Sequence, residues 1–217
     1  MARGTDFGGV HSFTDLHLIQ QSVEVSPAEP KINLIDIPGA DGSKDLSEQP
    51  AGRVVYKSRK ITWTFALYPG DKWDEKHAQV SNALNGRRCR ITLSTDPDFY
   101  YEGRVAVKKY KSDGWLHQIT VEATCHPYKF KQHETTVTAE LGADYVTLQL
   151  PNSRRVVVPT IEVTTDATIQ WGNSSFGLSA GSHRVLSVEL QEGQNALAAK
   201  ANAGTGSITV TYQEGSL

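Results

Sequence analysis

The sequence predicts a mainly β protein, built as sandwiches or barrels around short strands with a single helix, and three observations predict it. Apolar and polar residues alternate with a period of two in several short stretches. Turn-forming pairs separate those stretches. Only one segment repeats its apolar residues at helical spacing. Short strands with turns at such intervals are the pattern of sandwiches and barrels.

The first alternating stretch runs from Lys31 to Ile37, and Pro38-Gly39 and Asp41-Gly42 supply turns after it. The clearest strand follows, where Ile61, Trp63, Phe65 and Leu67 alternate with Thr62, Thr64 and Ala66. Such a period turns one face toward a core. Asp71 to Asn85 is the helix: Trp73, His77, Val80 and Leu84 recur at spacings of four, three and four. Asp71 is placed to cap its start, Asp74 and Glu75 suit its positive end, and Gly86 suits a left-handed exit. One helix among many strands is expected to cover an open end or face of a sheet, with His77 as a packed or hydrogen-bonded core-edge residue rather than a ligand. Strands then read at Arg104 to Val107 and Leu116 to Val121, with turns expected at Asp96-Pro97 and Asp113-Gly114. Later strands read at Val156 to Val163, His183 to Leu190 and Ser207 to Tyr212, with Gly172-Asn173 and Glu192-Gly193 as turns.

Texture divides the chain into two domains, 1–130 and 131–217. The first holds the helix and all the paired basic clusters except Arg154-Arg155; the second is rich in Thr, Val, Ser and Gly. The polar stretch Lys129-Phe130-Lys131-Gln132-His133-Glu134 is the expected boundary. With 217 residues and 38% apolar composition the chain has the material for real cores, so disorder is not expected.

Charge and hydropathy exclude some classes. Lys and Arg number 22 against 24 Asp and Glu, a net −2, which leaves no footprint for gripping nucleic acid or anionic lipid. Three basic clusters, Lys57-Ser58-Arg59-Lys60, Arg87-Arg88-Cys89-Arg90 and Lys108-Lys109-Tyr110-Lys111, lie near aromatic residues. Acidic residues of the same region cancel them almost one for one, so they read as solvated strand ends or as salt bridges to a neighbouring subunit. No apolar run approaches the ~20 residues of a membrane span. Met1 to Val10 is polar and glycine-rich, without the apolar centre of a signal peptide, so synthesis and folding in a cytoplasm are expected. Cys89 and Cys125 are too few for a disulfide scaffold and read as packed thiols.

Catalytic chemistry has no support in the sequence. The seven histidines form no HExxH pair, and Cys125-His126, as strand neighbours, point to opposite faces. His11 and His17 are six apart without a metal-ligand pattern around them. There is no Gly-x-Ser-x-Gly elbow, no phosphate loop and no dinucleotide fingerprint. Phe7-Gly8-Gly9-Val10 and Ala203-Gly204-Thr205-Gly206-Ser207 read as turn geometry, and Asp96 and Asp98 as turn residues rather than calcium ligands. No catalytic, cofactor-binding or metal residue is assigned, no cofactor is expected, and the chain reads as a non-enzyme.

Particular phrases then gain weight. Phe7-Gly8-Gly9-Val10-His11-Ser12-Phe13, Ser26-Pro27-Ala28-Glu29-Pro30-Lys31, Ile37-Pro38-Gly39-Ala40-Asp41-Gly42 and Gly52-Arg53-Val54-Val55-Tyr56-Lys57-Ser58-Arg59 come in that order. Ala83-Leu84-Asn85-Gly86, Asp96-Pro97-Asp98-Phe99-Tyr100-Tyr101-Glu102-Gly103-Arg104 and Cys125-His126-Pro127-Tyr128-Lys129 follow. The series resembles the N-terminal domain of the distal tail protein (Dit) family of siphophages and related prophages. Phe176-Gly177-Leu178-Ser179-Ala180-Gly181, Leu190-Gln191-Glu192-Gly193-Gln194-Asn195 and Gly204-Thr205-Gly206-Ser207-Ile208-Thr209-Val210-Thr211-Tyr212 resemble that family's second domain.

The resemblance implies a β-sandwich belt domain with one helix, closing into a homo-hexameric ring, followed by a galectin-like β-sandwich. It implies a virion component of the tail tip or baseplate, joining the tail-tube protein to the tail-associated lysin or fibre hub, with receptor-binding proteins as further partners. A ring subunit repeats one heterologous contact, which edge strands and paired charges suit. A second reading of different class is a glycan-binding module in the C-terminal sandwich, for which Trp171, His183 and Arg184 are the residue types. The bland use of those three is Trp171 between sheets and His183-Arg184 on an ordinary strand.

Overall fold

The computed structural model describes residues 4–68, 70–113 and 116–217. They form 18 strands and one helix, grouped in two compact units, Met1–Lys129 and Phe130–Leu217.

In the first unit, β1 (Thr5–Phe7), β2 (Leu18–Val25), β5 (Arg59–Leu67), β6 (Arg88–Leu93), β7 (Asp96–Asp113) and β8 (Leu116–Cys125) form one antiparallel sheet in the order β1-β6-β7-β8-β5-β2. The predicted alternation of β5 holds at Ile61, Trp63 and Phe65, which are wholly buried while Lys60 faces out, and loosens at the end of the strand, where Ala66 is buried and Leu67 only half-buried. The sheet curls until its two edges meet. Thr5 of β1 donates its hydroxyl proton to Gln20 Oε1 of β2 at 2.8 Å and accepts from the Trp63 indole at 3.0 Å. Phe7 packs edge-on against Trp63 with ring centroids 5.0 Å apart. A long twisted sheet gains by this closure, because it removes an edge that would otherwise invite pairing.

The helix α1 (Trp73–Leu84) drives Val80 and Leu84 into that core. Its start differs from expectation. Lys72 is the capping residue and makes no side-chain cap, and Asp71 instead pairs with the nearly buried Lys76 at 3.3 Å. Ion pairing of a desolvated ammonium outweighs a cap that water can replace. Trp73 and His77 are only half-buried; they pack against Tyr110, and Trp73 stacks on His117 at 4.9 Å. Gly86 takes φ 79° and leaves the helix left-handed, as predicted.

Between β2 and β5 the chain leaves the sheet as an arm. Ser26 N–H bonds Lys60 O, Lys57 N–H bonds Glu29 O and Lys31 N–H bonds Val55 O, so a ribbon continues past the end of β2 and β5. At its tip lie β3 (Leu34–Asp36) and β4 (Ser43–Asp45), paired only with each other. Of the strand expected over Lys31 to Ile37 only Leu34–Asp36 forms, and its apolar residues meet no core among the described residues.

The second unit is a sandwich of two antiparallel four-stranded sheets. One holds β10 (Thr135–Leu141), β17 (Gly206–Tyr212), β12 (Thr160–Val163) and β15 (Gly181–His183) in that order. The other holds β11 (Val146–Asn152), β16 (Gly193–Ala201), β13 (Ala167–Trp171) and β14 (Ser174–Leu178). Leu150, Ile161, Ile169, Leu197, Ile208 and Val210 fill the space between them. The short β9 (Lys129–Lys131) pairs with β18 (Gly215–Ser216).

Three expectations shift. His183 to Leu190 is a strand only to His183; Val185 to Val188 is a turn closed by Val188 N–H to Val185 O at 3.0 Å, and alternation there records insertion of Val188 and Leu190 into the core without a ladder. Val156 to Val163 becomes a strand only from Thr160, because Pro159 has no N–H to give a ladder. The turn expected at Asp96-Pro97 lies one pair earlier, at Ser94 and Thr95, with Leu93 opposite Asp96. Pro97 withholds no N–H from the β7–β8 ladder, which begins only at Gly103. The Asp113-Gly114 turn falls partly outside the described residues.

Candidate functional site

Candidate groups for chemistry stay apart. The His11 ring accepts the backbone N–H groups of Phe13 and Thr14 at 3.3 and 3.2 Å, which makes it the cap of a local turn. Asp96 pairs with Lys129 at 2.7 Å while Asp98 faces solvent. Among the described residues no three His, Cys, Asp or Glu side chains gather as a metal site, and no helix there is long and apolar enough to cross a membrane. Cys125 is buried and Cys89 half-buried, facing each other across Gly103, which pairs with both. Burial, with Cys89 nearby, pushes the Cys125 thiol up to about 12, so it does not ionise at neutral pH. In the second unit, Trp171 packs against the core from one sheet while His183 sits in the other and bonds Ser179 O at 2.6 Å. Trp171 and His183 therefore belong to different sheets of the sandwich, and Arg184 follows His183 just past the end of its strand, exposed.

What the fold does present is a pair of unlike surfaces in the first unit. The first is the arm. Ile32, Leu34, Ile35 and Ile37 are 65, 56, 46 and 47% exposed, an unusual density of apolar side chains in one short segment. Registration of Leu34 opposite Asp45 and Asp36 opposite Ser43 puts Asp36 and Asp45 on one face of the hairpin with Leu34, leaving Ile35 and Lys44 on the other. Ser43 Oγ donates to Asp36 at 2.5 Å. Ser47, through its hydroxyl and its backbone N–H, holds the Asp45 carboxyl below its ordinary range.

The second surface is the outer face of the curled sheet. Pairing sets Lys60, Thr124, Arg104 and Arg88 in one lateral row across β5, β8, β7 and β6. Arg90 sits opposite Glu102 in the next row, over the Tyr100 ring at 4.6 Å. Beyond them, Glu122 lies between Lys60 and Lys108, 3.7 Å from each. Lys60, Arg88 and Lys108 side chains remain 63, 68 and 53% exposed. The three basic clusters, separated by tens of residues in sequence, are thus brought to one sheet. Arg59 is the exception: it turns inward, 5% exposed, against Tyr101. A hollow of about 290 Å³ on the same sheet is lined by Ser58, Arg88, Glu102, Arg104 and His126. Alternation marks Lys60 as outward, but only strand order shows that its row includes Arg88 and Arg104.

Nothing in this arrangement activates a nucleophile or poises an acid and base. It defines a class: a mainly β, two-unit protein whose notable features are surfaces suited to contact. No protein-family model and no curated protein sequence matches the chain. Among solved structures, the fold is that of the SPP1 Dit (gp 19.1) protein, described as a paradigm of the hub adsorption apparatus in phages infecting Gram-positive hosts. The likeness has a TM-score of 0.67 at 16% identity, over 98% of this chain and 99% of that one. A de novo designed double-stranded β-helix overlaps 38% of the chain at a TM-score of 0.28, too slight to carry an argument.

Proposed function

We propose that this chain is a non-enzymatic structural subunit of a bacteriophage tail tip. In this reading the Met1–Lys129 unit closes into a six-membered ring and the Phe130–Leu217 unit is a galectin-like sandwich. The ring continues the tail tube on one side and seats the tail-associated lysin or fibre hub on the other, with receptor-binding proteins as peripheral partners. The virion tail tip is its location, reached after assembly in a host cytoplasm. What carries the proposal is a fold shared with SPP1 Dit along nearly the full length of both chains. The arm is a second support, because a row of exposed isoleucine and leucine side chains is disfavoured on an isolated chain and is ordinary on a subunit. A closed ring also asks for two different surfaces on each copy, since its repeated contact is heterologous.

The test is the mass and shape of the purified protein. Light scattering after size exclusion is expected to give close to six times 23.8 kDa, with a six-lobed annulus in negative stain. A strict monomer at high concentration, with no binding to tube or hub protein, overturns the proposal.

A further inference from the structure

The arm tip and the outer sheet face are complementary in charge. From Ile32 to Glu48 the arm carries Asp36, Asp41, Asp45 and Glu48 against the single ammonium of Lys44, a net −3. On the outer face of the sheet, Lys60, Arg88, Arg90, Arg104, Lys108, Lys109 and Lys111 stand against Asp6, Glu24, Glu102 and Glu122, a net +3, with the basic side chains gathered along the row through Arg104. Within one copy Glu122 pairs with Lys60 and Lys108 and Glu102 pairs with Arg88 at 2.8 Å, but these two carboxylates leave the face with a surplus of positive charge, the Lys60, Arg88 and Lys108 side chains stay more than half exposed, and the arm's apolar residues remain about half exposed or more.

Resting on the ring reading above, we propose that the acidic face of the β3–β4 hairpin of one copy docks on the basic outer face of the curled sheet of the next. Asp36 and Asp45, side by side on that hairpin face, meet the row Lys60-Thr124-Arg104-Arg88, and Leu34 between them is covered by the contact. The occupant is a second copy of this chain, chosen by opposite charge and by the exposed apolar residues carried on the same hairpin. Charge here gives direction. Arm meets arm, or face meets face, only with like charges opposed, so each contact pairs the arm of one copy with the face of another, and repeating that contact in one direction around an axis closes a ring. Such a contact gains encounter rate from electrostatic steering and loses it in salt, as the Debye length shrinks from ~10 Å at 0.1 M to ~3 Å at 1 M.

The experiment uses the full chain in three forms. One carries Asp36→Lys and Asp45→Lys on the arm; a second carries Lys60→Glu and Arg88→Glu on the face; a third carries all four. Circular dichroism first establishes that each keeps its strands, and sedimentation velocity then reads assembly. Either paired reversal alone is expected to weaken association by about tenfold or more, because like charges then face each other. The four-fold variant assembles again, and so does an equimolar mixture of the two paired variants, whose copies alternate around an even-numbered ring. Undiminished rings from both paired variants overturn this contact while leaving the ring itself standing. Loss of assembly that neither the mixture nor the four-fold variant restores also overturns it. A wild-type chain that never associates overturns both this contact and the ring.

Discussion

Thr5→Val tests how the curled sheet is closed. The Thr5 side chain is 1% exposed and stands where the two sheet edges meet. Its oxygen accepts the Trp63 indole proton at 3.0 Å, and its own proton goes to Gln20 Oε1 at 2.8 Å. Valine keeps the shape and removes both functions. The indole N–H, in a side chain with no solvent exposure, is then left without an acceptor, which costs about 1–3 kcal/mol. Gln20 is half-exposed and recovers most of its loss from water, so about 2–3 kcal/mol is the expected total. For a unit of this size each kcal/mol lowers the transition by about 3–5 °C, giving a fall of roughly 6–15 °C. Calorimetry at one fixed protein concentration reads this, and fixing concentration matters because assembly adds its own stability. The transition of the Phe130–Leu217 unit, which contains none of these groups, stays in place. Thr5→Ser, which keeps the hydroxyl, is expected to lose only a small fraction of the effect. A Thr5→Val protein unfolding within 2 °C of wild type, or one in which both transitions move equally, refutes the account.

Other side chains give equally specific outcomes. A Cβ at Gly103 meets Cys125 Sγ at 2.5 Å and Thr124 O at 2.6 Å, so Gly103→Ala destabilises the first unit by about 1–3 kcal/mol in urea titrations. Adding Cys125→Ala restores only part of that, because the backbone oxygen remains. Burial raises the Glu214 carboxyl, but hydrogen bonds from Lys131, Thr135 and Ser153, with the Lys131 charge, outweigh it and leave it below its ordinary value of 4.5. Its stabilisation is therefore complete above pH ~4.5 and lost as pH falls through the lower folded value, a dependence that Glu214→Gln flattens. At neutral pH the same substitution costs about 1.5–3 kcal/mol, read from the urea midpoint of the second unit. Cys125 resists thiol reagents at pH 8 in the native protein and reacts once urea unfolds it, as mass spectrometry of the alkylated chain checks.

Some of this was legible along the chain. Alternation at Ile61, Trp63, Phe65 and Leu67 marks a buried strand because a pleated backbone turns successive side chains to opposite faces, a purely local rule. The helical stripe through Val80 and Leu84 and the left-handed Gly86 are local in the same sense. Local rules also mislead where tertiary contacts decide: His183 to Leu190 alternates yet buries Val188 and Leu190 from a loop, and Asp71 finds Lys76 in place of a capping role.

Residue order by itself determined the strand-rich class, the single helix, and the turn chemistry of Pro38-Gly39 and Asp41-Gly42, since each depends on φ, ψ and spacing within a few residues. Tertiary structure alone decided that Lys60, Arg88 and Arg104 share one row, that Thr5 and Gln20 close the sheet, and that Ile32 to Ile37 form an arm whose apolar residues meet no core among the described residues. Strand order is set by the whole core minimising exposed apolar area at once, a global quantity that no short window of sequence contains.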